Sequence, residues 1–229
     1  PSLELPAGKF TRGSVYLKDH QGVDAFIGEL NRRANDDGAQ KLTHVGLDCE
    51  WPLPWRSKVA TLQLATSDGA ACVIQLSKLS TIPDSLKNFL ARPDVAKVGK
   101  NIGNDVKRLR DHDLHVAAVI DVAHAAKAAA RVVSAQISLA ELVRQLLSKR
   151  LAGKADLRTQ TAWDGELSDE QLKYAAVDAY AGALLLDEVK SGTQGVRSAA
   201  PAAGELHADD LICILAQGCR SVAALARSL

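Results

Sequence analysis

Three observations predict an α/β domain with a mixed sheet. An apolar run at 43–50 has the length of a buried strand and ends in two carboxylates. A hairpin signal, Asp68-Gly69, separates two further strand patterns. After it, short strand patterns alternate with helical ones, the rhythm of strand-helix crossovers. The chain has 229 residues, 47% of them hydrophobic, enough for one domain of good size with a remainder. Its 28 basic and 27 acidic residues leave a net charge of +1, which neither favours nor excludes nucleic acid; any such partner must be met by a local basic patch.

The elements follow in order. Residues 1–18 carry Pro and Gly and a β-leaning Ser14-Val15-Tyr16-Leu17, read as an extended arm with an edge strand. Asp19 or Asp24 caps a helix with apolar positions Val23, Phe26, Ile27 and Leu30, which Asp36-Asp37-Gly38 ends. The strand at 43–50 comes next. Trp51-Pro52-Leu53-Pro54-Trp55 has two prolines and reads as a rigid loop beyond it. Val59 to Ala65 alternates as a strand, and Ala71 to Leu76 returns from the hairpin. Pro83 opens a helix that ends near Leu90. Val95 to Gly99 is the fourth strand, and a helix runs from about Ile102 to His112. Val116 to Ile120 is the fifth strand candidate, and Asp121 caps an Ala-rich helix. Ser138-Leu139-Ala140-Glu141 and Ser168-Asp169-Glu170-Gln171 each have the form of a helix-opening capping box; the second starts a helix reaching about Val189. Residues 191–204, rich in Gly, Ser, Ala and Pro, read as a flexible linker between a domain at 1–190 and an amphipathic helix at 205–229.

Several classes are excluded or set aside. Four Cys, at 49, 72, 213 and 219, form no Cys-x-x-Cys pair and suit a reducing, intracellular compartment, nucleus and cytoplasm not being separable beyond a slight preference for the nucleus. No run reaches membrane length and no signal peptide is visible, so no membrane partner is expected. The sequence has no Met, as in a fragment or a chain that has lost its initiator. The Gly99-Lys100-Asn101-Ile102-Gly103 turn lacks the Lys-Ser/Thr of a phosphate loop.

The chemistry lies in the carboxylates. Asp48 and Glu50 are two apart on a strand and project the same way. Two such anions repel unless they face water or share a cation, and all-oxygen ligands suit Mg²⁺ or Mn²⁺. Asp105 opens a helix straight out of a strand, where a side chain reaches the ends of neighbouring strands. Tyr174 and Asp178 share one face of a helix whose Ala175, Ala176, Ala179 and Ala181 mark it as tightly packed. Polar groups inside such a helix need partners.

Together, Asp48-Cys49-Glu50, Asp105 after its Gly-rich turn, and Tyr174 with Asp178 resemble the three-motif pattern of the DEDDy 3′→5′ exonucleases. The pattern looks most like the Werner-syndrome-type exonuclease domain and its ribonuclease D and 3′–5′ exonuclease domain relatives. Leu47 to Pro52, Leu62 to Ala65, Val98 to Asp105, Ser138-Leu139, Thr161 to Asp164 and Leu167 to Leu172 carry the likeness, which runs from about residue 12 to 190. It implies a ribonuclease H-like fold, a five-stranded mixed sheet with helices on both faces and the second strand antiparallel.

It further implies a metal-dependent 3′–5′ exonuclease that cuts terminal phosphodiesters of DNA or RNA and releases nucleoside 5′-monophosphates. Two Mg²⁺ or Mn²⁺ ions are the expected cofactors. Asp48 would bridge both ions, Glu50 and Asp178 would hold the one that activates water, Asp105 would hold the second, and Tyr174 would orient the water. Candidate contacts to a single-stranded 3′ end are Trp51, Trp55, Asn101, Asn104, Arg150, Arg158 and Trp163, the tryptophans by stacking and the arginines by gripping phosphate. Arg150 and Arg158 belong to a basic loop with Lys149 and Lys154; Lys97, Lys100, Lys107, Arg108 and Arg110 form a second basic cluster around Asp105. The alternatives are a nucleic-acid-binding or scaffolding module that has lost the chemistry, and a nuclease of the same fold that cuts internally. The helix at 205–229 is a possible surface for a protein partner or a second copy.

Overall fold

The computed structural model describes residues 1–7, 16–39, 41–53, 57–151 and 162–196. Its strands are β1 (Ser2–Leu3), β2 (Tyr16–Leu17), β3 (His44–Glu50), β4 (Thr61–Ala65), β5 (Ala71–Ile74), β6 (Ala96–Gly99), β7 (Val119–Asp121) and β8 (Arg150–Leu151). Its helices are α1 (His20–Ala34), α2 (Asp84–Leu90), α3 (Ile102–Leu109), α4 (Val122–Ala128), α5 (Leu139–Leu147) and α6 (Asp169–Val196). Among the described residues, the main sheet has six strands in the order β2-β5-β4-β3-β6-β7. β4 runs antiparallel to β3 and β5, while β6 and β7 run parallel to β3. The five expected strands are therefore present, with the edge strand β2 added parallel to β5, and β1 pairs with β8 in a separate ribbon.

β3 and β4 lie in the middle of the sheet, covered on both faces, which is why they read as near-continuous apolar runs. Asp19 supplies the α1 cap, its carboxylate accepting from the Gly22 amide at 2.8 Å. One face of the sheet is packed by α1 and α2 through long side chains, among them Ile27, Leu30, Leu86, Phe89 and Leu90. The other is packed by α6, with α4 and α5 beside it. The Ser168–Gln171 capping box that opens α6 is reciprocal, with the Gln171 amide on Ser168 Oγ at 3.2 Å and the Ser168 amide on Gln171 Oε1 at 2.9 Å.

The approach of α6 is backbone to backbone. A methyl group added at Gly46 would lie 1.7 Å from the Ala179 carbonyl oxygen, and one at Gly182 would lie 2.8 Å from the Val98 carbonyl oxygen. Only glycine admits helix and sheet at that distance. Four residues before Asp48, the buried His44 ring adds a clasp: Nε2 lies 3.2 Å from the Ala183 carbonyl oxygen and 3.3 Å from the Asp187 carboxylate.

Three sequence expectations change. The fifth strand is Val119–Asp121, not Val116 to Ile120, because Ala118 takes a left-handed conformation with φ of 52° and starts the strand late. α6 runs to Val196, beyond the end expected near Val189, and Arg131 lies over its Gly192 and pairs with its Glu188. Lys97 is no part of a surface basic cluster; it is buried in β6, its Nζ donating to the Arg92 and Val95 carbonyls at 2.7 and 2.9 Å. Residues 197–204 and the helix expected at 205–229 lie outside the described residues. Among the described residues, no helix is long and apolar enough to cross a membrane.

Candidate active site

β3 delivers the first two carboxylates. Gly46, Asp48 and Glu50 share the face toward α6, and Asp48 and Glu50 lie at the strand's carboxyl end, less buried than the run before them. β6 runs parallel beside β3 and ends where the chain turns at Asn101, in the left-handed region at φ 58°, into α3. Asp121 holds that turn: one carboxylate oxygen accepts from the Asn101 amide at 2.7 Å, while the other caps α4 through the Ala123 and His124 amides. Its carboxylate thus serves the scaffold, as its reading as a cap anticipates. α3 then presents Asp105 from its first turn, 5% exposed. α6 presents Tyr174 and Asp178, both buried.

These side chains line one cleft of about 980 Å³, together with Trp51, Leu53, Lys100, Asn101, Asn104, Trp163 and the segment Gln136–Ala140. The sequence reading missed the last wall. Ser138 was legible as a helix cap, and its hydroxyl does accept from the Glu141 amide at 3.2 Å, but nothing local says which end of the sheet that helix faces.

The carboxylates act on one another's surroundings. Burial pushes the Asp105 carboxyl up to about 7, opposed by a backbone hydrogen bond and the Arg108 charge. The Cys49 thiol, between Asp48 and Glu50 in sequence, is pushed well above its ordinary value by burial and then by the charges of Asp105, Asp48 and Glu50. Carboxylates from β3 and α3 are thus close enough to share a field. A buried carboxyl held near neutrality is relieved by a proton or a cation. The donor set is all oxygen, which fits Mg²⁺ or Mn²⁺. Among the described residues, no three His, Cys, Asp or Glu side chains are already drawn into a metal-binding group.

Gln63, paired with Asp48 across the β3–β4 ladder and on the same face, was not foreseen. It is fully buried, its Nε2 donates to Thr61 Oγ1 at 2.7 Å, and among the described residues its Oε1 has no hydrogen-bond partner.

The substrate-binding candidates divide. Trp51 is half-buried at the cleft, with the Arg108 guanidinium 4.2 Å over its ring. Asn101 and Asn104 are exposed at the cleft, and the Asn101 side-chain Oδ1 accepts from Lys100 Nζ at 2.6 Å. Trp163 lines the cleft but is 2% exposed, its ring centroid 6.3 Å from that of Tyr174 and tilted by 40°, so it buttresses Tyr174 more than it offers a face for stacking. Arg150 is exposed on β8 and is not among the cleft-lining residues, because its strand pairs with β1. Trp55, Lys154 and Arg158 lie outside the described residues.

Comparison with known proteins agrees on the family. A family profile described as 3′-5′ exonuclease matches residues 20–194. The chain is 29% identical over 195 residues to the bifunctional 3′-5′ exonuclease/ATP-dependent helicase WRN of Mus musculus, covering 82% of this chain and 13% of that protein. It is 31% identical over 187 residues to a 3′-5′ exonuclease of Arabidopsis thaliana, covering 77% of this chain and 63% of that one. The chain therefore spans less than two thirds of either relative. The crystal structure of the Aedes aegypti Nibbler EXO domain superposes with a TM-score of 0.68 at 18% identity, covering 90% of this chain and 97% of that one, and shares the ribonuclease H-like fold.

Proposed function

From the premise that the chain belongs to the 3′-5′ exonuclease family, we propose that its cleft hydrolyses the terminal 3′ phosphodiester of a DNA or RNA strand. Water adds to the phosphorus, the bond from phosphorus to the 3′ oxygen of the penultimate nucleotide breaks, and a nucleoside 5′-monophosphate leaves. The strand ends one residue shorter with a free 3′ hydroxyl. The observation that supports this reading is that Asp48, Glu50, Asp105, Tyr174 and Asp178, from three separate elements, line a single cleft.

In this reading Asp48, Glu50, Asp105 and Asp178 would hold two Mg²⁺ or Mn²⁺ ions. Such ions, when bound, activate water near neutral pH and neutralise charge building on the phosphate. Tyr174 orients the water through its hydroxyl, from its place on α6 at the cleft. Trp51, braced by Arg108, stacks the terminal base. Lys100, Asn101 and Asn104 meet the phosphates and sugars beside the scissile bond. Tyr174→Phe is expected to slow turnover, whereas Asp48→Ala abolishes it; equal loss in both would give Tyr174 a larger part than orientation.

A binding module that keeps the fold without the chemistry is the reading that experiment must separate from the exonuclease. Digestion of 5′-labelled DNA and RNA strands with Mg²⁺ or Mn²⁺, beside an Asp48→Ala/Glu50→Ala control, separates the two. A ladder shortening from the 3′ end, absent in the control, supports the exonuclease. Intact strands with a retained gel shift support the binding module, and internal fragments an endonuclease.

A further inference from the structure

We propose that Gln75, which does not line the cleft, is a positioning residue that sets the orientation of Tyr174 by way of Trp163; this rests on the exonuclease reading above. Gln75 follows β5 and is fully buried. Its side-chain amide is committed on both sides. Oε1 accepts from the Tyr16 hydroxyl on the edge strand. Nε2 donates to the Gly165 carbonyl at 2.6 Å and more weakly to the Trp163 carbonyl at 3.4 Å. The partners fix which way the amide points, because two carbonyls need an N–H donor and a hydroxyl proton needs an acceptor. A second tie joins the same two segments: Lys18 Nζ lies 4.8 Å over the Tyr16 ring and 3.2 Å from Glu166 Oε1.

The turn around residues 163–166 is therefore held from β2 and β5, outside the cleft. What the turn carries into the cleft is Trp163. Its indole is buried against Tyr174, at the 6.3 Å centroid distance given above. The Tyr174 backbone is fixed in α6, so the position of its hydroxyl is set by side-chain rotation alone, and the packed indole limits that rotation. Gln75 fixes the turn, the turn fixes Trp163, and Trp163 fixes Tyr174.

The test is a kinetic cycle on the full chain. Gln75→Leu is expected to lower kcat about ten-fold, in line with the cost of a small misplacement at a reacting centre, while KM for the strand stays within about two-fold. Tyr16→Phe, which removes only the hydroxyl and serves if Gln75→Leu does not fold, is expected to lower kcat by a smaller factor in the same direction. In a Tyr174→Phe background neither change lowers kcat further. A merely structural role would instead slow Tyr174→Phe by the same factor as the wild type, and that result overturns the proposal. Indole emission gives a readout independent of turnover. In a Trp51→Phe/Trp55→Phe background, used for spectroscopy only, Gln75→Leu should move Trp163 emission to longer wavelength. Unchanged emission overturns the proposal. If the wild-type protein cuts no strand, the exonuclease reading fails by itself, and Trp163 emission alone decides whether Gln75 holds the turn.

Discussion

The two faces of the sheet are packed by different means. Toward α1 and α2 the gap is filled by long aliphatic and aromatic side chains, and the face even accommodates the buried Lys97, whose ammonium finds two backbone carbonyls and lies 5.7 Å over the Phe89 ring. Toward α6 the helix lies on the strands themselves, with Gly46 and Gly182 at backbone contact and alanines around them. Side-chain packing can yield by a rotamer; contact between two backbones cannot. The candidate site draws Asp48, Glu50 and Asp178 from the face that cannot yield. What the difference teaches is where precision is kept: the spacing between the carboxylates of β3 and Asp178 of α6 is a backbone distance.

The largest expected effect comes from breaking that contact. Gly46→Ala puts a methyl group into the Ala179 carbonyl and should cost on the order of 3 kcal/mol, the upper end for overpacking, read by urea denaturation. Among molecules that still fold, turnover on a labelled strand should fall about 100-fold, as Asp178 is pushed away from Asp48 and Glu50. On the other face, Leu86→Ala should cost a similar or slightly smaller amount, roughly 2–3 kcal/mol, for the cavity it leaves. Yet kcat per folded molecule should stay at the wild-type value. Equal catalytic losses in both variants would erase the distinction between the faces.

A smaller effect sharpens the contrast through pH. Burial depresses the Lys97 amine from its ordinary 10.5 to about 7, the Asp94 charge partly opposing this. Between those values the unfolded chain binds more protons than the folded one, so stability rises with pH across that window, and below it the cost of the buried charge is present in full. Lys97→Met should flatten this rise without a change in kcat, as seen in denaturation midpoints at pH 7 and 9. A rise of the same size in the variant would assign it to other groups.

Much of this was legible in the sequence, and the rest was not for physical reasons. Strand alternation placed Asp48 and Glu50 side by side, and helical spacing with an alanine-rich surround placed Tyr174 with Asp178. Capping chemistry gave the starts of α5 and α6, because a cap is decided within four residues. Lys97 was misread since its charge argues for the surface, and only the central position of β6 and the carbonyls of Arg92 and Val95 make burial possible. The Gly46–Ala179 contact and the Gln75–Gly165 hydrogen bond join segments far apart in the chain, so no local pattern carries them. Arg150 shows the converse: its charge suited a phosphate, but strand pairing with β1 set it apart from the cleft lining.

The most direct measurement is Mn²⁺ binding to the protein without nucleic acid, followed by calorimetry or by the loss of the free-ion paramagnetic signal, for the wild type, Asp48→Asn and Asp178→Asn. Loss of an outer partner of a metal ligand already costs about 10–100-fold, so removing a ligand from either element should weaken binding by at least about 100-fold in both variants. Binding that is lost in Asp48→Asn but unchanged in Asp178→Asn would contradict a site shared between β3 and α6.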